Sequence, residues 1–188
     1  MGNKVLTMLL IMCTCGIMGQ DIKNEKPKTF KNSIKIRPLN FFVNELVLDY
    51  ERMIDPKSSL HITAGQGYQK DRLLVGGTVE NHTSFLEVDY RRYFSKDKIA
   101  PRGWFAGAGI FGLYELDRFK NIRGTVDPNF DRDYFSTGVS VDTGYQWVFK
   151  NGITIGLSGG ADLRIPIDHS INSSSIRPNL NFSVGYSW

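Results

Sequence analysis

The chain closes on the ten residues "NLNFSVGYSW", 179 to 188, and their alternation decides the fold. Leu180, Phe182, Val184, Tyr186 and Trp188 take every second place, with Asn179, Asn181, Ser183, Gly185 and Ser187 between them. Successive side chains of a strand point to opposite faces, so this segment has one apolar and one polar face, whereas a helix would scatter both sets around its axis. The same period recurs upstream. In residues 85 to 94, "FLEVDYRRYF", Leu86, Val88 and Tyr90 oppose Glu87, Asp89 and Arg91, and in 45 to 52, Leu46, Leu48 and Tyr50 oppose Glu45, Asp49 and Glu51. Residues 134 to 149 set Phe135, Val139, Val141, Tyr145 and Trp147 against Ser136, Gly138, Ser140, Asp142 and Gly144. Residues 153 to 165 set Ile153, Ile155, Leu157, Leu163 and Ile165 against Thr154, Gly156, Asp162 and Arg164. With Ser33 to Leu39, Leu60 to Tyr68 and Trp104 to Leu116, the pattern predicts eight strands.

The links between these strands alternate in length. "DPKS", "SKDKIAPRG" and "KNG" follow strands two, four and six, whereas roughly 69 to 81, 117 to 132 and 166 to 175 follow three, five and seven. Only Asn40 to Asn44 is short on that second side. An even number of antiparallel strands, with short turns at one rim and longer loops at the other, predicts an all-β, eight-stranded antiparallel transmembrane β-barrel. It is an up-and-down meander with its turns in the periplasm. The N-terminus agrees. Residues 1 to 20, "MGNKVLTMLLIMCTCGIMGQ", join one Lys to an uncharged apolar run and then to small or polar residues, which is the plan of a secretory signal peptide. Both cysteines, Cys13 and Cys15, fall within it, and Met12 and Thr14 before them do not suit lipidation. Residues 21 to 31 read as a flexible periplasmic leader and 32 to 188 as the barrel. Beyond the signal no uncharged apolar run reaches the ~18 residues of a membrane-spanning helix, so insertion in a membrane calls for a closed barrel.

Alternation alone leaves open which face looks outward. A soluble, lipocalin-like barrel in the periplasm with an apolar ligand inside would show the same period. Three features favour an apolar outside. The polar face carries Gly65, Gly67, Gly107, Gly109, Gly138, Gly144, Gly156, Gly160 and Gly185, which a narrow barrel interior needs and a solvated surface does not. It also carries opposite charges on strands expected to adjoin: Lys35 and Arg37 near Glu45, Asp49 and Glu51, and Arg164 and Arg177 near Asp162. With Glu87, Asp89 and Arg91 these form an expected ion-paired lumen plug, since buried charges need partners. Trp104, Trp147 and Trp188 fall at the short-turn rim and Tyr114 lies ten residues from Trp104, which at ~3.3 Å per residue and a tilt of about 40° spans roughly 25 Å, the height of an apolar band between aromatic girdles.

Other chemistry is thinly represented. The net charge of +4 is dispersed, so no nucleic-acid surface is expected. "GAGIFG", 107 to 112, has the dinucleotide spacing, but the glycines sit inside a strand instead of at a strand-to-helix turn, so barrel packing explains Gly107 and Gly109; Gly112 has the outward parity. His61, His82 and His169 lie on different elements without metal-ligand spacing. No metal, cofactor or catalytic residue is expected. An enzyme acting on envelope lipids or peptides would draw on His82, Asp168 or His169. In the longest loop, "DRFKNIRGTVDPNFDR", Arg118, Phe119, Arg123 and Phe130 are the candidates for contact with a surface ligand.

The terminal "NLNFSVGYSW" resembles the C-terminal signal by which Gram-negative outer-membrane proteins engage the barrel-assembly machinery. The body, from "LVLDYERMIDPKSSLHITAG" (46 to 65) through "FLEVDYRRYFSKDKIAPRGWFAGAGIFGLY" (85 to 114), is similar to a family of small exported outer-membrane β-barrel proteins of unknown function, architecturally like the OmpA and OmpX membrane domains. The resemblance implies the fold, an outer-membrane location, and outer-membrane lipid and the assembly machinery as partners. It supplies no catalytic residues. The expected role is structural, or surface interaction through the outer loops, without a large pore.

Overall fold

The computed structural model describes residues 29–74, 76–95, 99–121, 129–167 and 174–188. The expected signal peptide, residues 21–28 of the leader, Arg123, Asp168 and His169 lie outside them. Eight strands follow in order: β1 (Asn32–Ile36), β2 (Glu45–Asp55), β3 (Ser58–Arg72), β4 (Thr78–Tyr93), β5 (Gly103–Lys120), β6 (Phe130–Val148), β7 (Ile153–Pro166) and β8 (Ser175–Ser187). Each pairs antiparallel with the next, and β8 returns to β1, so the sheet closes into a barrel.

The eight predicted strands are all present, and their ends differ from expectation in two ways. β1 stops at Ile36 instead of reaching Leu39, because Pro38 has no backbone N–H to give a ladder. Pro38–Val43 winds instead into a 3-10 helix that ends on Asn44 at φ 57°, and its Leu39, Phe41, Phe42 and Val43 are exposed. At the same rim, strands run through stretches expected to be loops, since cross-strand pairs hold them together. Lys70 Nζ meets Glu80 Oε1 at 2.9 Å, Lys120 Nζ meets Glu80 Oε2 at 2.6 Å, and the rings of Phe119 and Phe130 stack with centroids 4.5 Å apart. Arg118, Phe119 and Phe130 are therefore strand residues, and β5 and β6 take in both flanks of the segment 117 to 132.

The ring is unevenly closed. β5 and β6 share a ladder from Gly103 opposite Gln146 to Phe119 opposite Phe130, whereas β1 and β8 share four pairs, Ser33 to Ile36 opposite Ser187 to Val184. Beyond Ile36 the wall beside β8 is occupied by the 3-10 segment, which packs against both β2 and β8. Backbone hydrogen bonds tie this seam: Lys31 and Asn32 donate their N–H to the Trp188 carbonyl, and Trp188 N–H donates to the Asn32 carbonyl. Phe30, within the stretch expected as a flexible leader, is buried beneath the Arg102 guanidinium at 4.9 Å.

Inside, the wall is spaced for glycine. A Cβ on Gly160 would lie 2.0 Å from the Val141 carbonyl oxygen, and one on Gly138 would lie 2.1 Å from the Leu163 carbonyl oxygen and 2.5 Å from the Phe111 ring. Gly112, which faces outward, would meet nothing nearer than Phe135 at 3.5 Å. Gly160→Ala is accordingly expected to lower stability by ~1–3 kcal/mol through forced backbone displacement, while Gly112→Ala stays within about 0.5 kcal/mol. Urea unfolding of the two variants in detergent micelles measures the difference.

Candidate functional site: a lumen plugged at one end

Odd-numbered residues of β1 to β5 and β8, and even-numbered residues of β6 and β7, line the lumen. At the short-turn end it is filled by apolar groups: Tyr93, Ala100 and Phe105 are each buried, Met53 packs on them, and the Arg91 guanidinium lies 4.5 Å from the Phe105 ring. Immediately above stands the fully buried Glu51. Its carboxylate accepts from Lys35 Nζ at 2.8 Å, Ser59 Oγ at 2.6 Å, Tyr93 Oη at 2.5 Å and Gln146 Nε2 at 3.3 Å, and Lys35 also donates to Gln146 Oε1 at 2.7 Å. One carboxylate thus ties together strands β1, β2, β3, β4 and β6.

The next layer is built on Arg37. Its guanidinium donates twice to Asp49, at 3.1 and 2.8 Å, and also to Asn181 at 2.9 Å and Thr63 at 3.1 Å. Thr63 donates in turn to Asp49 at 2.7 Å. His61 spans two carboxylates, with Nδ1 3.0 Å from Asp89 Oδ2 and Nε2 3.5 Å from Asp49 Oδ1. Across the lumen Arg91 pairs with Asp142 at 2.7 Å. Free space among these groups amounts to about 10 Å³, room for at most one water.

The structure brings some of the expected lumen charges together and gives others different partners. Lys35 with Glu51 and Arg37 with Asp49 adjoin as expected. Arg164, expected beside Asp162, forms its ion pair with Glu115 on β5, and Asp162 accepts from Asn179 at 2.8 Å. Arg177 faces Asp162 in register but makes no ion pair with it. Glu45, expected beside Lys35 or Arg37, accepts from Asn40 of the 3-10 segment at 2.8 Å. The expected ion-pair set leaves out His61, Glu115, Gln146 and Asp142, the last already assigned to the polar face, although each shares the inward parity of a neighbouring glycine: Gly65, Gly107 or Gly144.

Above Asp89 and Arg91 the lumen opens. A cavity of about 500 Å³ lies there, reaching from Arg91 and Asp142 at its floor to Gln69, Asn81 and Arg177 toward the loops. One wall carries Phe85, Phe111 and Leu113, and the rest is polar. The lumen is thus a cup instead of a through-channel, which refines the expected full plug.

Neither the histidines nor the loop candidates assemble a reaction centre among the described residues. Ser140 Oγ donates to Asp89 Oδ1 at 3.0 Å while His61 faces the other oxygen of that carboxylate, so the acid stands between hydroxyl and imidazole instead of behind the base. His82 points outward, its ring 5.0 Å from that of Tyr68, and the lumen lies on the other side of the wall. No group of three His, Cys, Asp or Glu side chains is placed to hold a metal among the described residues. Gly107 and Gly109 of "GAGIFG" lie in β5 where a Cβ would strike Asp142 at 2.2 Å and Asp89 at 2.0 Å, so they make room for carboxylates. At the loop rim Arg118 stands 3.7 Å from Asp131, and the Arg132 guanidinium covers both Phe119 and Phe130. Glu80, outside the apolar band, has its pKa drawn down to about 2 by hydrogen bonds from Lys120 and Lys70.

Comparison of the chain with protein-family models, with curated proteins and with solved structures finds no match.

Removing one member of the deepest pair leaves an uncompensated charge, which typically costs ~3–5 kcal/mol, whereas replacing both with apolar groups of similar volume costs much less. Lys35→Met is thus expected to destabilise the barrel by that amount, and adding Glu51→Leu to recover part of it. Urea titration of both variants in micelles gives the comparison.

Proposed function

We propose that the chain is an integral outer-membrane barrel, exported by its N-terminal signal, with no enzymatic activity and no conducting pore, whose role is structural or lies in surface interaction at its loop rim. The observation that carries this reading is the outer face. From Trp104 to Leu116 on β5, Phe135 to Trp147 on β6, Ile153 to Ile167 along β7 and just beyond, and Ile176 to Trp188 at the end of the chain, no outward residue is charged. Ile110, Val141, Leu180 and Trp104 are each more than half exposed, on an apolar face that runs on across all four strands, whereas soluble monomers rarely expose large contiguous apolar patches.

Four hydroxyls on the outer face are satisfied by the protein itself. Thr137 Oγ1 donates to the Phe111 carbonyl at 2.8 Å and Thr143 Oγ1 to the Phe105 carbonyl at 2.9 Å, while the Tyr50 and Tyr90 hydroxyls donate to Asn32 and Ser58. Hydrocarbon offers no hydrogen bonds, so this return of hydroxyls to the wall suits lipid contact. Charged outward residues begin only at the rims, with Arg52 and Arg92 at one and Lys70, Glu80, Arg118 and Lys120 at the other. A soluble barrel with an apolar ligand inside needs the opposite allocation of faces.

The C-terminal strand, with Trp188 at the turn rim, supports engagement of the barrel-assembly machinery, and outer-membrane lipid is the partner of the apolar band. The short-turn end then faces the periplasm and the cup opens outward. In a Gram-negative host the protein is expected in the outer-membrane fraction, migrating differently on gels with and without boiling, and adding no discrete current steps to planar bilayers. Recovery in the soluble periplasmic fraction would overturn the reading.

A further inference from the structure

An eight-stranded barrel has an interior that side chains fill or that holds one small ligand. Here the lower half is filled and the upper half is not, leaving the cavity of about 500 Å³. That is the size of a small-molecule site, concave, with an aromatic wall and a few polar groups converging on it.

The charges in the cup do not balance. Arg37, Arg91 and Arg164 are each committed to a carboxylate, Asp49, Asp142 and Glu115 respectively. Glu45 and Asp162 are bonded only to the neutral amides of Asn40 and Asn179, and Glu87, which faces Ser140, has no ion pair. Among the described residues, Arg177, exposed at the mouth, is the one cation lining the cavity that is left to set against these three carboxylates. The floor adds a second, independent sign of an unfilled position. Asp142 Oδ1 is a buried acceptor without a hydrogen-bond partner, open to an N–H donor, while Arg91 Nε beside it, also unpartnered, calls for an acceptor that a cation does not supply. Buried polar groups are left unpaired rarely, and at a cost, unless a ligand or water completes them.

We infer that the cup binds a small organic ammonium ion with an apolar body, admitted from the loop end, its cationic head set among Glu87, Asp162 and Glu45 and its body against Phe85, Phe111 and Leu113. Neither part alone suffices: an inorganic cation gains nothing from the aromatic wall, and an apolar anion meets uncompensated carboxylates. The inference concerns the inside of the barrel and stands apart from what surrounds it.

Three probes of graded chemistry test it on the folded full-length barrel in uncharged detergent micelles at pH 8: 2-phenylethylammonium, 3-phenylpropionate and ethylammonium. Titration calorimetry is expected to show saturable binding of the first, at one site per barrel, and at least about tenfold weaker binding of the other two. Glu87→Gln with Asp162→Asn, which keeps shape and removes charge, is expected to weaken the first probe at least about tenfold while the boiling-dependent gel shift confirms an intact barrel. Phenylpropionate binding as tightly as phenylethylammonium, or no saturable binding of phenylethylammonium, would overturn the inference without recourse to any variant. Unchanged affinity in a folded double variant would do so as well.

Discussion

The structure depends on a carboxylate that water does not reach. Glu51 is fully buried within the lumen, and its two oxygens collect donors from β1, β3, β4 and β6. A bare charge at that depth is prohibitively costly, so the carboxylate exists there only because Lys35, Ser59, Tyr93 and Gln146 converge on it. The same requirement settles much else. Tyr93 must have its ring on the apolar floor and its hydroxyl upward, Lys35 must extend across the axis, and strands too far apart to share a ladder are held in mutual register. The outside of the barrel has no comparable organiser, since apolar side chains in a uniform apolar surrounding gain little from particular neighbours.

Which residues face inward was legible in the amino-acid order, because facing is a parity that survives along a strand. Asp89, Arg91, Glu51 and Lys35 were placed correctly by that parity alone. Whom they pair with was not. Arg164 and Asp162 lie two places apart on one face, yet Arg164 reaches Glu115, forty-nine residues distant in the chain. Such a choice depends on strand tilt and on the reach of a side chain across the lumen, neither of which is local. His61 shares the inward parity of Gly65, but a search for metal-ligand spacing treated it as a solitary ring. Strand ends were obscured for another reason. Above the apolar band, outward positions become Lys70, Glu80, Arg118 and Lys120 while Phe119 and Phe130 point inward, so the polarity of the two faces inverts and alternation read as loop.

The glycines make the polar interior possible in a barrel this narrow. Gly109 and Gly107 leave the space that the Asp89 and Asp142 carboxylates occupy, and Gly65 and Gly138 leave room for the rings of Phe85 and Phe111. These four glycines are thus the complements of large inward neighbours on adjacent strands, while Gly144, Gly160 and Gly185 stand against backbone carbonyls of the next strand. The interior is a mosaic of bare backbone and bulky groups, and where bulky groups cease to meet across the axis the cup begins. A phosphate-binding spacing such as "GAGIFG" arises here from the demands of close packing.

The four-pair ladder between β1 and β8 bears on how the barrel forms. All other neighbours in the ring are consecutive in the chain, so their hairpins assemble through short connections, whereas Asn32 and Trp188 must find each other across almost the whole polypeptide. The loop-closure entropy of the fold is concentrated on its shortest ladder. The pairing of β1 with β8 is accordingly the contact of the ring with the most chain to close, and there the carbonyl and amide of Trp188 clasp the first strand.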